Sequence, residues 1–456
     1  MCSRTDRGRS GTGPPAPNQP SRSRPRPRSD VTDRPVTLVV EVTDTLAAPF
    51  TTGIQRVVRE VVAGLQARPE LGIEVVPVVT PAPGAGFRRL TDEESERLRH
   101  HPAGGRAGRR ADDFGRLSPL VRRVGDVHLV VSLRARLSRW SPRRRQLHPA
   151  HPELEWQPPP GAVFLDLEGS WYAPTPRAEL LPALQRQGVH RMVFLHDVMP
   201  MVQPQWFTPR HRAVFGDWLH AHLEHSESVL ANSECTASDA RHVANERGLQ
   251  VDPTVIPLGA DPPVTSTRPV DLPEGLDQLL LVVGTLEPRK DQQVVLDAFD
   301  HLRHQHPGLG LVLVGKEGWM VDDLVERIRT HPELDRRLLW LGGIDDAQLA
   351  WLYDRAFLSI APSRYEGLGV PVMEALAHGC ATLASRGGAQ PEAAGGAAEL
   401  FEPGDLDALT ALVRRHLEDG EHHERWARRA RDHRTPTWAD TTTSVADAVH
   451  RLVTER

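Results

Sequence analysis

From about residue 36 the chain alternates two hydrophobic patterns. Short continuous apolar runs, "VTLVVEVTDT", "IEVVPVVT", "DVHLVVSL", "AVFLDLEG", "RMVFLHD" and "SVLANS", have strand length and are bounded by turn residues. Between them the apolar positions take helical spacing. In "TTGIQRVVREVVAGLQARP", Ile54, Val57, Val58, Val61, Val62 and Leu65 fall on one face and Gly53 stands at the helix start. "RHRAVFGDWLHAHLEHS" is a second amphipathic segment. Strands alternating with helices predict parallel sheet covered by helices. Between Pro81 and about Gly125 the pattern lapses into Gly, Pro and mixed charge, which reads as a long surface insertion.

The alternation restarts after "GADPPVTSTRPVDLPEG", a Pro-rich passage with the composition of an interdomain linker. The second series has strands at "LLLVVGT", "LGLVLVG", "LLWLGG", "FLSIAPS" and "ATLAS", with helices such as "QQVVLDAFDHLRH" and "DAQLAWLYDRA" between them. The predicted fold class is therefore α/β, with two doubly wound Rossmann-like domains facing a cleft. In such sheets ligands sit outside the carboxyl ends of the strands.

Composition narrows the class. The 456 residues are 39% hydrophobic and 25% charged, enough for two or three domains, and a net charge of -5 gives no case for nucleic acid as a partner. Cys2, Cys235 and Cys380 are odd in number and lack CxxC spacing, so neither a disulfide framework nor a zinc site is indicated. Residues 1–34 are Arg, Pro, Ser and Gly with almost nothing apolar, the composition of a disordered basic tail. No apolar run reaches the ~18 residues of a membrane span, and no secretory h-region opens the chain. A cytoplasmic protein is expected.

The candidate chemistry lies just after strands. In "RYEGLGVPVMEALAHG" the loop glycines let a ligand approach the backbone, Pro371 suits the first turn of a helix, and the free N–H groups of that helix start favour an anion such as diphosphate. Glu366 in the loop and Glu374 about a turn into the helix are placed to accept hydrogen bonds from sugar and ribose hydroxyls. The competing reading makes them a solvated loop charge and an exposed helix face. Lys290 in "GTLEPRKD" opens a helix, where a cation opposes the macrodipole at a cost of a few tenths of a kcal/mol unless an anion is present; otherwise it is a solvated charge. His196 closes the strand of "FLHD" as a site residue or, with Asp197, as a capping pair, and Asp166 in "FLDLEGSW" is a weaker candidate for acceptor contact. "DLD" at Asp405 to Asp407 resembles a metal-holding carboxylate pair but reads as a helix cap. His422 and His423 sit on a charged helical stretch, so no metal is expected.

From Val36 onward, "TTGIQRVVRE", "FLHDVMPMVQPQWF", "ANSECTASDA", "VIPLGAD", "VVGTLEPRKDQQVVLDAF", "LVGKEGW", "WLGGIDDAQLAWLY" and "APSRYEGLGVPVMEALAHGCATLAS" occur in the order and spacing of a GT-B-fold glycosyltransferase. The chain resembles the large retaining family, family 4 or group 1, and within it the mannosyl- and deoxyhexosyltransferases of bacterial surface polysaccharides. The resemblance implies domains at 1–34 (tail), 35–258 (acceptor domain), 259–435 (donor domain) and 436–456, a last helix crossing back onto the first domain. It implies that Glu366 contacts the donor sugar, Glu374 the nucleotide ribose, and the backbone of Gly367, Leu368, Gly369 and Val370 the phosphates. Lys290 and Arg289 would neutralise the diphosphate; many relatives carry Arg where this chain has Thr285, which leaves Arg289 as the substitute. His196 would lie near the reacting sugar, and Gly53 would start the helix facing the diphosphate.

The implied reaction transfers a hexose with retention of configuration and no covalent protein intermediate, without cofactor or metal, from a nucleotide sugar, GDP-linked by the wording of the motifs. The acceptor would be a saccharide or a lipid-linked saccharide. Arg134, Arg136, Arg139, Arg143, Arg144 and Arg145 around Trp140 suggest peripheral contact with the inner face of a membrane, a solvated insertion being the alternative. Two other readings of the same cleft are an inactive sugar-nucleotide-binding protein and a GT-B-fold sugar-nucleotide epimerase. A dinucleotide-dependent dehydrogenase fits poorly, because no strand is followed by G-x-G-x-x-G.

Overall fold

The structure, a computed structural model, describes residues 35–48, 53–82, 84, 86–99, 152–261 and 268–455. Its apolar runs form two separate sheets. The first contains β1 (Val36–Glu41), β2 (Ile73–Val79), β3 (Phe87–Arg89), β4 (Glu155–Trp156), β5 (Val163–Asp166), β6 (His190–Leu195), β7 (Ser228–Ala231) and β8 (Thr254–Val255). Their order is β4-β3-β2-β1-β5-β6-β7-β8. Every pairing is parallel except those of β3, which runs antiparallel to both β2 and β4. The second sheet is parallel throughout: β9 (Gln278–Val283), β10 (Leu309–Val314), β11 (Leu338–Leu341), β12 (Leu358–Ala361), β13 (Thr382–Ser385) and β14 (Glu399–Phe401), in the order β11-β10-β9-β12-β13-β14.

The strand order reverses between β1 and β5 in one sheet and between β9 and β12 in the other. The crevice beyond the carboxyl ends at such a reversal is where a doubly wound sheet admits a ligand. The loops after β9 and β12, which carry Lys290 and Glu366, flank that point in the second sheet.

The periodic helix runs Gly53–Gln66 and buries Val57, Val58, Val61, Val62 and Leu65. Against it packs the last helix, Trp438–Thr454, whose Val445, Ala446, Ala448 and Val449 complete the core of the first sheet. A capping box between Thr437 and Asp440 starts this helix. The chain's two crossings between sheets lie side by side: Gly259 N–H donates to Thr441 Oγ1 at 2.9 Å and Trp438 N–H to Asp261 Oδ2 at 2.9 Å.

The expected surface insertion after Pro81 is, in its described part, ordered structure. β3 extends the sheet edge, and helix Asp92–Arg99 turns Leu98 and Glu94 inward, where Glu94 pairs with buried Arg88 at 2.8 Å. A three-residue strand and a helix with one buried leucine are too short to register as periodicity. The expected strand "DVHLVVSL", the remainder of that insertion, the basic run around Trp140 and the N-terminal tail lie outside the described residues.

Candidate active site

After β9 the chain makes a single 3-10 turn, Pro288–Lys290, before helix Gln292–Leu302. Lys290 Nζ lies 2.5 Å from Glu366 Oε1, and Arg289 Nη1 lies 2.8 Å from Glu366 Oε2. Ser363 Oγ donates to Oε1 at 2.6 Å. Glu366 is 7% exposed. Burial alone would raise its pKa, but Arg289, Lys290 and their hydrogen bonds outweigh that and lower it to about 2. Arg289 also pairs with Glu287 at 2.9 Å. Both cations expected at a diphosphate are thus present, and each is neutralised by the carboxylate expected at the sugar.

β12 feeds the loop to helix Val370–Ala377, with Pro371 in its first turn. Gly369 adopts φ 97°, a left-handed conformation that glycine alone takes without strain, and no side chain caps this helix start. Gly367 marks a close approach of another kind. A Cβ there would stand 2.5 Å from the His196 carbonyl oxygen and 2.7 Å from Asp197 Cβ, so only glycine lets the β12 loop meet the end of β6. Ser233 Oγ and Thr236 Oγ1 both donate to the Gly367 carbonyl, at 2.6 and 3.0 Å. Leu368 packs its side chain against the first sheet's core.

His196 follows β6 directly. Its Nε2 is 2.9 Å from the Leu167 carbonyl, so that nitrogen carries the proton. Burial lowers its pKa to about 4, which keeps the ring neutral near pH 7. Asp197 accepts from Met199 N–H at 3.0 Å, just before the short helix Met199–Val202, whose N-cap position is Val198 and has no side-chain cap.

Glu374 turns toward the other domain. Arg56 Nη1 reaches its Oε1 at 2.6 Å, and the Tyr353 hydroxyl donates to Oε2 at 3.1 Å. Gly53 opens the same helix as Arg56, and a Cβ there would meet no atom of the described residues within 4 Å. The structure therefore brings Arg289, Lys290, Glu366, the Gly367–Val370 turn and His196 together, and joins Glu374 to the Gly53 helix through Arg56.

Two readings change. Asp166 is fully buried, ion-paired with Arg177 at 2.5 Å, hydrogen-bonded to His222 Nε2 at 2.9 Å, and accepts from Ser170. Burial would raise its pKa, yet Arg177 and His222 hold it below the usual carboxylate range. It has no face toward an acceptor. His422, read as part of a charged helical surface, is buried beside Glu399. Asp405, by contrast, does cap its helix through Ala408 N–H.

Sequence reasoning assigned no role to Arg56, Tyr353, Ser363, Ser233 or Thr236. It also missed Glu392, whose carboxylate accepts from Glu234 and Cys235 N–H, both at 2.8 Å, at the start of helix Glu234–Glu246. Only "ANSECTASDA" carried a signal, as a motif without an assigned contact. Lys290, Ser363, Glu366, Gly369, Pro371 and Gln390 enclose a cavity of about 10 Å³. At that volume it holds about one water molecule while these ion pairs are closed.

Residues 266–433 match the family described as "Glycosyl transferases group 1". The chain is 28% identical over 353 residues to "Serotype-specific mannosyltransferase WbdA" of Escherichia coli, a match covering 74% of this chain and 36% of that protein. It is 27% identical over 270 residues to "O-antigen chain mannosyltransferase B" of Escherichia coli, covering 56% of this chain and 69% of that one. The match thus spans about a third of the length of the WbdA relative. Among solved structures, Anabaena HepE in complex with UDP and glucose superposes with a TM-score of 0.56 at 16% identity, covering 91% of this chain and 99% of that one. The architecture is GT-B.

Proposed function

We propose, for a chain whose residues 266–433 belong to the glycosyl transferases group 1 family, a retaining hexosyltransferase that moves mannose or a deoxyhexose from a nucleotide sugar to a saccharide or lipid-linked saccharide in surface-polysaccharide synthesis. The observation that carries this reading is the convergence of Lys290, Arg289 and the uncapped helix start at Val370 on Glu366, beside His196 from the other sheet. Two cations at one point suit a departing diphosphate; the helix start adds little, since Pro371 has no N–H and the Val372 and Met373 N–H groups donate to the Gly369 carbonyl. The carboxylate between them becomes available to sugar hydroxyls once phosphate takes over the cations.

In this reading Glu374 exchanges Arg56 for the ribose hydroxyls. The acceptor hydroxyl attacks from the face the nucleotide leaves, and a leaving phosphate oxygen takes its proton. Neutral His196 sits at the sugar without competing for charge. The enzyme contributes positioning and charge stabilisation, which require the cleft to close over the donor. The mannosyltransferase relatives support a mannose donor; GDP as its nucleotide rests on the wording of the motifs alone.

The test is a thermal-shift panel of GDP, UDP, TDP and ADP and their sugars on the purified chain. A ligand at a hundred times its dissociation constant adds about 2.7 kcal/mol. GDP-mannose is expected to stabilise most; a shift with UDP-sugars and none with GDP removes the donor assignment. Labelled donor with and without saccharide acceptor separates transfer from epimerisation, which alters the sugar nucleotide itself.

A further inference from the structure

Far from the candidate active site, three side chains converge on one point. Glu399 is the first residue of β14, the edge strand of the second sheet. His416 lies in the last turn of helix Leu406–Glu418, and His422 in the first turn of helix Gly420–Asp432. The two histidines are 1% and 2% exposed. His422 Nε2 is 2.8 Å and His416 Nε2 is 3.3 Å from the same oxygen, Glu399 Oε2, and the three atoms all lie within 4.8 Å of one another.

Hydrogen bonding leaves this cluster incomplete. His416 Nε2 is shielded from solvent and makes no hydrogen bond despite the nearby carboxylate. Its other nitrogen, Nδ1, faces Nδ1 of His423 at 3.2 Å, and the His423 ring is stacked on Phe357 at 4.0 Å. If His423 donates to His416 Nδ1, a proton on His416 Nε2 faces Glu399 at 3.3 Å; if His416 donates from Nδ1 instead, its Nε2 lone pair faces the carboxylate, two electron-rich groups with no proton between them. A cation resolves that conflict. Two imidazoles and one carboxylate form a borderline ligand set suited to zinc, and tetrahedral ligands about 2.0–2.1 Å from the metal stand roughly 3.3 Å apart. The 3.3 Å from His416 Nε2 to Glu399 Oε2 matches that spacing; the 2.8 Å from His422 Nε2 is shorter, and the histidine nitrogens, within 4.8 Å, adjust around the ion.

We propose that Glu399, His416 and His422 form a structural Zn²⁺ site that staples the edge strand to the two helices, with water completing the coordination. Binding places the proton of His422 on Nδ1. The Arg425 guanidinium, now 2.7 Å from that nitrogen on an exposed side chain, then moves into solvent. Glu399 pairs with Leu383 at the amino end of β13, whereas Glu366 follows the carboxyl end of the parallel strand β12. The metal therefore sits at the opposite end of the sheet from the donor site and takes no part in transfer.

The full chain is stripped with a chelator, dialysed, and titrated with Zn²⁺ by calorimetry, with Co²⁺ as a spectroscopic probe of tetrahedral coordination. One equivalent of zinc is expected, with a tetrahedral cobalt spectrum and a rise in thermal midpoint. His422→Gln and Glu399→Gln should each weaken zinc binding by at least about tenfold while leaving nucleotide-induced thermal shifts in place. His416→Gln is the more deeply buried variant, and the other two keep the test decisive if it fails to fold. Absence of zinc binding to the wild-type chain overturns the site, as does binding that persists unchanged in both folded variants, which would locate the metal elsewhere among the chain's 22 histidines.

Discussion

Arg56 and Glu374 meet between the two domains, Nη1 to Oε1 at 2.6 Å, with the Tyr353 hydroxyl on the second carboxylate oxygen. The carboxylate proposed to hold the ribose is thus occupied by a cation from the opposite domain, and the two partners compete for it. Arg56→Met is expected to tighten binding of a nucleoside diphosphate by up to about fivefold, the worth of a partly exposed ion pair. Calorimetry measures it. Weaker binding would instead make Arg56 a grip on the diphosphate.

Removing the carboxylate itself has the larger consequence. Glu374→Ala is expected to lose about 2–5 kcal/mol of transition-state stabilisation, the usual result of truncating a charged hydrogen-bond partner once bound donor has desolvated it, with the circular dichroism spectrum retained. Steady-state kinetics on the donor decide. A variant that fails to fold would make Glu374 a structural residue.

Of the 55 basic residues only Lys290 and Lys316 are lysines. Lys290 lies along Gly284, where even a Cβ would come within 3.4 Å of its side chain, and its ammonium is 2.5 Å from Glu366. A planar guanidinium does not fit this space as a compact ammonium does. Lys290→Arg is expected to depress kcat/KM at least tenfold, about 1.4 kcal/mol, and Lys316→Arg to do less. Wild-type kinetics in Lys290→Arg would overturn the assignment.

Acid stability should fall in two windows. Burial lowers His196 from 6.5 to about 4, so the unfolded chain takes up that proton first. The stability of the neutral ring is complete above pH 6.5 and is lost as pH falls toward 4. Glu366 is lowered from 4.5 to about 2, its burial outweighed by Arg289 and Lys290; its contribution is present above pH 4.5 and lost on approaching pH 2. Thermal midpoints against pH should show a shallower upper window in His196→Gln and a shallower lower one in Glu366→Gln. Parallel curves for wild type and variants would refute the attribution.

The basic run from Arg134 to Arg145 lies outside the described residues, and its proposed role rests on composition. Each basic residue near an anionic surface contributes about 1 kcal/mol. Co-sedimentation with phosphatidylserine vesicles is expected at low salt and should be lost on changing these arginines to serine. No binding at low salt removes the membrane contact.

The sequence by itself determined the two series of strands and helices, the Gly53 helix face and the loops that bear Lys290 and Glu366. Each is written in residues close together along the chain, as apolar period, turn chemistry or a proline in a first helical turn. It missed β3 and helix Asp92–Arg99, which are too short and too charged to show a period. Tertiary structure alone decided which distant groups meet. Arg56 and Glu374 are 318 positions apart, and Ser233 and Gly367 are 134 apart; no local pattern encodes such pairs, because they depend on how two separately folded sheets dock. The same holds for burial. Asp166 and His422 look like any polar residue beside a strand or on a charged helix, and only the packing of neighbouring elements removes them from water and fixes their partners.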